Sequence, residues 1–170
     1  MRRVYPILAI VALLLQTGCK TYSLGPTNGE IAGARSIQIN PFLNHTAEPR
    51  LATTVASSIR KRLQQDGTYR LDSKNSGDII VTGTLIDYRR SLLSSRPDDI
   101  RTPRDYRVIL TAHVKAVERD SGKTLIDREV TGRTTLRVGP DLTRTEQQAL
   151  PLMAEDIARK TTSLLVEGTW

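Results

Sequence analysis

The stretch Asp78-Ile-Ile-Val-Thr-Gly-Thr-Leu-Ile-Asp-Tyr88 decides the fold. Its β-branched content and length describe a central strand. Alternation puts Ile79, Val81, Gly83 and Leu85 on one face and Ile80, Thr82, Thr84, Ile86 and Tyr88 on the other, so both faces are partly apolar. Downstream, Asp105 to Glu118 alternates again, with Tyr106, Val108, Leu110, Ala112, Val114 and Ala116 on one side. Arg107, Ile109, Thr111, His113, Lys115 and Val117 lie on the other. Residues 91 to 103 are rich in Ser, Pro, Asp and Arg and read as a loop. Asp120-Ser121-Gly122-Lys123 is a tight turn into a last strand, Thr124 to about Val138. Three consecutive antiparallel strands are expected.

Helical periods flank these strands. From Thr46 to Gln65 the apolar positions Leu51, Val55, Ile59 and Leu63 recur every four residues beside Ala52 and Ala56, one buried stripe of an amphipathic helix. Pro49 falls in its first turn, Arg60, Lys61 and Arg62 complement the dipole at its end, and Gly67 suits a left-handed stop. Short strands are expected at Ser36 to Asn40 and Thr68 to Asp72. After Gly139-Pro140, Thr143 and Glu146 stand at the offset of a capping box, and Leu150, Met153, Ile157, Thr161 and Leu164 trace a second helical stripe. Pro151 predicts a kink there, or a helix that starts near it. The expected class is α+β: a small, mainly antiparallel sheet of about four strands with two helices packed on one face.

The start of the chain reads differently. Arg2 and Arg3, the apolar run Pro6 to Leu15 and Gly18-Cys19 have the layout of an export leader, and the run is too short to span a bilayer, which takes about 20 apolar residues. The expected organisation is a signal peptide at 1–18, a lipidated N-terminus and tether at 19–34, and a single domain at 35–170. Cys19, the sole cysteine, would become the first mature residue and carry acyl chains, each buried methylene adding about 0.8 kcal/mol of membrane affinity. The position three before it, aliphatic in most bacterial lipoprotein leaders, is Gln16, and the competing reading is an ordinary secretory signal. Loss of Arg2 and Arg3 takes the formal charge from +7 to +5, which suits anionic partners such as phosphorylated lipids. One Phe and one Trp make a base-stacking platform for nucleic acid a poor reading.

No catalytic constellation emerges. His45 and His113 are the only histidines, and with Cys19 acylated no zinc set remains; no metal or other cofactor is expected. Asp98-Asp99 reads as a solvated turn, Asn44-His45-Thr46 as the turn before the first helix, and His113 as a half-buried strand residue. An enzyme is not expected. The basic residues stand out instead: Arg89 and Arg90 at a strand end, Arg101, Arg104 and Arg107 across the loop, Lys115 in the next strand, and Arg128, Arg133 and Arg137 in the last. Several alternate with Ile80, Ile109 and Val117, so guanidinium groups that grip phosphate would sit beside apolar surface. The candidates for binding an amphiphile that bears phosphates and acyl chains are Arg89, Arg90, Arg107, Lys115 and Arg133. The competing reading is an edge kept soluble by basic side chains.

Several segments resemble the LptE family of lipopolysaccharide-assembly lipoproteins. They are Tyr22-Ser-Leu-Gly-Pro26, Pro41-Phe-Leu-Asn-His-Thr-Ala-Glu-Pro-Arg50, Arg62-Leu-Gln-Gln-Asp-Gly-Thr-Tyr-Arg-Leu71, Gly77 to Leu85 with Tyr88-Arg89-Arg90, Gln147 to Asp156, and Glu167-Gly-Thr-Trp170. The resemblance implies an outer-membrane lipoprotein that plugs the LptD barrel, helps it assemble and binds lipopolysaccharide, with no reaction. Lys20 after the cysteine agrees with outer-membrane sorting in that family. The alternative is an outer-membrane lipoprotein that reaches across the periplasm to regulate a cell-wall synthase or an export pump.

Overall fold

The computed structural model describes residues 31–95, 103–138 and 142–168. The expected leader, Cys19 and most of the tether lie outside the described residues, as do Asp98, Asp99, Arg101 and Trp170. The elements are β1 (Ser36–Ile39), β2 (Leu43–Asn44), α1 (Leu51–Asp66), β3 (Arg70–Asp72), β4 (Ile79–Ser95), β5 (Pro103–Glu118), β6 (Thr124–Arg137) and α2 (Leu142–Glu167).

One sheet holds all six strands in the order β3-β1-β4-β5-β6, with β2 also on β4. The fold is α+β as expected, but the sheet is mixed and larger than the four-stranded, mainly antiparallel one expected. β1 runs parallel to β3 and β4, and β2 parallel to β4. A two-residue and a three-residue strand are too short to show a period, and α1, as a crossover, returns the chain to its starting end so that β3 joins β1 in parallel.

The second correction concerns residues 91–103. Ser91 and Leu92 pair with Arg107 and Tyr106, and Ser94 and Ser95 with Asp105 and Pro103, so β4 runs on to Ser95, into the first part of what composition marked as loop. Pairing with an already formed neighbour supplies backbone partners that serine content does not reveal.

A third correction follows from a bulge. The β4–β5 register shifts between Leu85 and Asp87, which leaves Ile86 as the extra residue. Beyond it Tyr88 pairs with Leu110 and Arg90 with Val108, so even-numbered residues move to the core face. Simple alternation had put Tyr88 on the opposite face.

The core lies between the helices and this face. Leu51, Val55, Ile59 and Leu63 of α1 and Met153, Ile157 and Leu165 of α2 are fully buried, together with Ile79, Val81, Leu85, Leu110 and Val114 from the sheet. α1 starts at Leu51, so Pro49 precedes it instead of occupying its first turn. Asn44 orders the turn there: its Oδ1 accepts from the Thr46 N–H at 3.0 Å, and its Nδ2 donates to the Glu48 carbonyl at 2.9 Å. Gly67 stops α1 at φ 75°, donating its N–H to Leu63 O at 3.1 Å. α2 runs continuously past Pro151, and both Pro151 and Gln147 are exposed, so water can satisfy the carbonyl that proline leaves without a partner.

Two glycines set the closeness of these layers. A Cβ on Gly83 would stand 2.0 Å from Cε1 of the buried Phe42 ring, and one on Gly132 would stand 2.5 Å from the Met153 carbonyl oxygen. Phe42 therefore lies flat on β4, and α2 seats directly on β6.

A basic open face as the candidate functional site

The sheet carries its helices on one side, and the other side is the candidate site. After the Ile86 bulge, Asp87, Arg89 and Ser91 of β4 share this face with Arg107, Ile109, Thr111, His113 and Lys115 of β5. Register then adds Asp127, Glu129, Thr131, Arg133 and Thr135 of β6. One row reads Arg89, Ile109, Arg133, since Ile109 pairs with both arginines. Two strand spacings of about 4.8 Å put the two arginine backbones about 9.6 Å apart with an aliphatic side chain between them. The next row places Arg107 between Ser91 and Thr135.

Charge is distributed unevenly along this face. Toward the β5–β6 turn, Asp127 takes His113 Nε2 at 2.7 Å and Lys115 Nζ at 3.8 Å, so that end is close to neutral. Toward the other end, Arg89 meets Asp87 at 3.4 Å with both side chains largely in solvent, and among the described residues Arg107 and Arg133 make no ion pair. Asp105 closes that end: it accepts from Ser94 Oγ at 2.6 Å and from Arg137 Nε at 3.4 Å. The Ser94 hydrogen bond, then Arg137 and Arg104, hold its carboxyl below the usual carboxylate range against the opposing pull of burial.

Of the five candidates from sequence, the structure gathers Arg89, Arg107 and Arg133 in two adjacent rows and leaves Lys115 farther along β5, engaged with Asp127. Arg90 is separated from them. The bulge turns it to the helix face, where it meets Glu146 of α2 at 2.7 Å. Tyr88 lies on that same face, and burial, reinforced by Glu146, pushes its hydroxyl pKa up. Nothing in the alternation of Tyr88-Arg89-Arg90 announces a bulge two residues upstream, at Ile86.

Two further concavities went unread in the sequence. One, of about 390 Å³, sits on the open face where the chain passes from β1 to β2, lined by Asn40, Leu43, Thr82, Thr84, His113 and Lys115 among others. The second, of about 420 Å³, lies between β6 and α2 and is lined by Val130, Arg133, Arg159, Lys160, Ser163 and Leu164 among others. Its signal was the spacing of Asp156, Arg159 and Lys160 on one helix face, and both cations pair with that aspartate. Among the described residues no cluster of three or more His, Cys, Asp or Glu could hold a metal, and no helix is long and apolar enough to cross a membrane.

The architecture is an α+β layer with one sheet face covered by two helices and the other open and partly aliphatic. The family model of LptE, lipopolysaccharide-assembly, matches residues 34–164, and the chain belongs to that family. No curated protein matches it. Among solved structures, the hypothetical protein CT253 from Chlamydia trachomatis superposes with a TM-score of 0.58 at 9% identity, covering 79% of this chain and 98% of that one. Protein XCC0632 from Xanthomonas campestris gives 0.57 at 9% identity, covering 86% and 94%. At such identities these likenesses speak to the fold alone.

Proposed function

We infer that the chain is a lipoprotein of the outer membrane, held at the periplasmic side through acylated Cys19, whose open sheet face binds lipopolysaccharide during assembly and whose domain assists and plugs the LptD-type barrel. It makes and breaks no bonds. The observation that carries this reading is the Arg89, Ile109, Arg133 row with Arg107 beside it. Three guanidinium groups without strong internal partners, spaced around an aliphatic residue, match an amphiphile that carries phosphates next to acyl chains. Thr82, Thr84, Thr111, Thr131 and Thr135 add hydroxyls to the same face, which suits the polar lumen of a barrel.

The test is lipopolysaccharide binding to the full chain across a salt series, with Arg89, Arg107 and Arg133 changed together to Ser. Exposed charge pairs contribute about 0.5 kcal/mol each, so losing three weakens binding about tenfold. Affinity of the unaltered chain falls as salt rises. An unchanged affinity in the triple variant removes the arginine face from the reading, and failure of the chain to copurify with a large β-barrel removes the plug.

A further inference from the structure

The sheet has two long open edges, and the fold treats them differently. On β6, Lys160 Nζ donates to the Thr131 carbonyl at 2.5 Å and the Arg133 N–H donates to Asp156 Oδ2 at 3.1 Å, so α2 occupies the outward backbone groups at the middle of that strand. On β4 the neighbours β1 and β2 stop early. The last contact on that side is the His45 N–H to the Leu85 carbonyl at 3.0 Å, while β4 continues to Ser95. Because odd-numbered residues of β6 face outward, its even-numbered ones bond β5, and register then makes Asp87, Arg89 and Ser91 the β4 residues that bond β5. The N–H and C=O groups of Tyr88, Arg90 and Leu92 therefore point away from the sheet, and no described residue meets them. Leu92 is 56% exposed and Leu93 45%. A row of unpaired backbone groups of this kind is a ready template for pairing with another chain.

We propose that the Tyr88–Leu92 edge of β4 accepts an extended segment of a partner protein as an added strand, one whose side chains alternate between acidic and aliphatic. Strand addition supplies main-chain hydrogen bonds, and alternate side chains supply selectivity. On the open face the incoming strand lies beside Arg89, with Arg107 one strand further in, so that side is acidic. On the helix face it lies beside Tyr88, Arg90 and Leu92, and because Glu146 already pairs with Arg90 at 2.7 Å, that side is aliphatic. A second copy of this chain fits poorly, because antiparallel pairing about Arg90 sets like charges directly opposite.

The probe is an end-blocked eight-residue peptide alternating valine and glutamate, compared with one alternating valine and lysine. Added to the full chain in detergent, the glutamate peptide slows hydrogen exchange of the Tyr88, Arg90 and Leu92 amides at least tenfold, and the lysine peptide leaves them fast. Leu92→Pro removes an outward N–H without removing a β4–β5 hydrogen bond, and it weakens peptide binding at least tenfold while α2 amides stay protected. The measurement on the unaltered chain stands even if that variant fails to fold. Fast exchange at saturating glutamate peptide, equal protection by both peptides, or protection by concentration-dependent self-association without peptide each overturns the proposal.

Discussion

Replacing Gly83 with Ala puts a methyl group where the Phe42 ring lies, 2.0 Å from Cε1, 2.4 Å from Cδ1 and 2.5 Å from Cζ. Phe42 is only 6% exposed, so the ring cannot yield without losing its buried seat. Displacing it forfeits about 1.5–3 kcal/mol of burial, and the better strand backbone of Ala returns about 0.5–1 kcal/mol, leaving a net loss of about 2 kcal/mol. Phe42→Ala alone costs about 3 kcal/mol through transfer and cavity terms. In the double variant the new methyl occupies part of the vacated space. The combined loss is therefore about 3 kcal/mol where simple addition gives about 5, a coupling of about 2 kcal/mol. Urea unfolding of the four members of this cycle, followed by circular dichroism, measures it. Additivity within about 0.5 kcal/mol would show that Phe42 and Gly83 do not share one seat, and the packing account of the β1-to-β2 passage would fail.

Other consequences can be measured as readily. Gly132→Ala meets the Met153 backbone carbonyl at 2.5 Å as well as the Ile157 side chain at 2.7 Å, so α2 must lift; a loss of about 1–3 kcal/mol in urea unfolding is expected, with faster exchange of the Arg133 amide, and an unaltered midpoint would contradict the close seat. Arg90→Ser, which removes a half-exposed pair with Glu146, changes stability by under about 1 kcal/mol and leaves lipopolysaccharide affinity within twofold; a loss matching that of the triple arginine variant would put Arg90 back in the binding set. Asp156 is pulled up by burial, but hydrogen bonds from Lys160, the Arg133 N–H and Arg159 together outweigh that pull and hold its carboxyl low. A depressed folded-state pKa means this stabilisation is present above the ordinary carboxylate value and fades as pH falls through the folded one. Asp156→Asn accordingly flattens the acid limb of the stability profile, and an unchanged slope below about pH 4 would refute the assignment. Cys19→Ser abolishes incorporation of labelled palmitate and releases the chain from membranes, and retained label would place the acyl group elsewhere.

How much was legible differs from element to element. The stripe Leu51, Val55, Ile59, Leu63 and the alternation of Val108 through Ala116 specified buried faces directly, because each repeats the period of its own backbone over many residues. The stop at Gly67 was equally readable, since a left-handed cap needs a residue without Cβ. β2 and β3 were beyond this reasoning in their pairing, because strands of two and three residues carry no period and owe their places to β4 and β1. Ser91 to Ser95 failed for a related reason: composition reports average preference, whereas a partner strand already in register supplies hydrogen bonds to whatever sequence lies opposite.

The same division runs through the candidate site. Local sequence determined two amphipathic helices, three long strands and an excess of arginine near their ends, all properties of neighbouring residues along the backbone. Which arginines share a face was settled by one extra residue at Ile86, which brings Arg89 onto the open face in one row with Ile109 and Arg133 and sends Arg90 to Glu146. A strand's side chains alternate strictly, so a single bulge inverts everything beyond it, and only the register against β5 records that inversion. The guarded edge of β6 and the bare edge of β4 are likewise products of where other elements end, a matter of assembly in three dimensions and not of any residue's own preference.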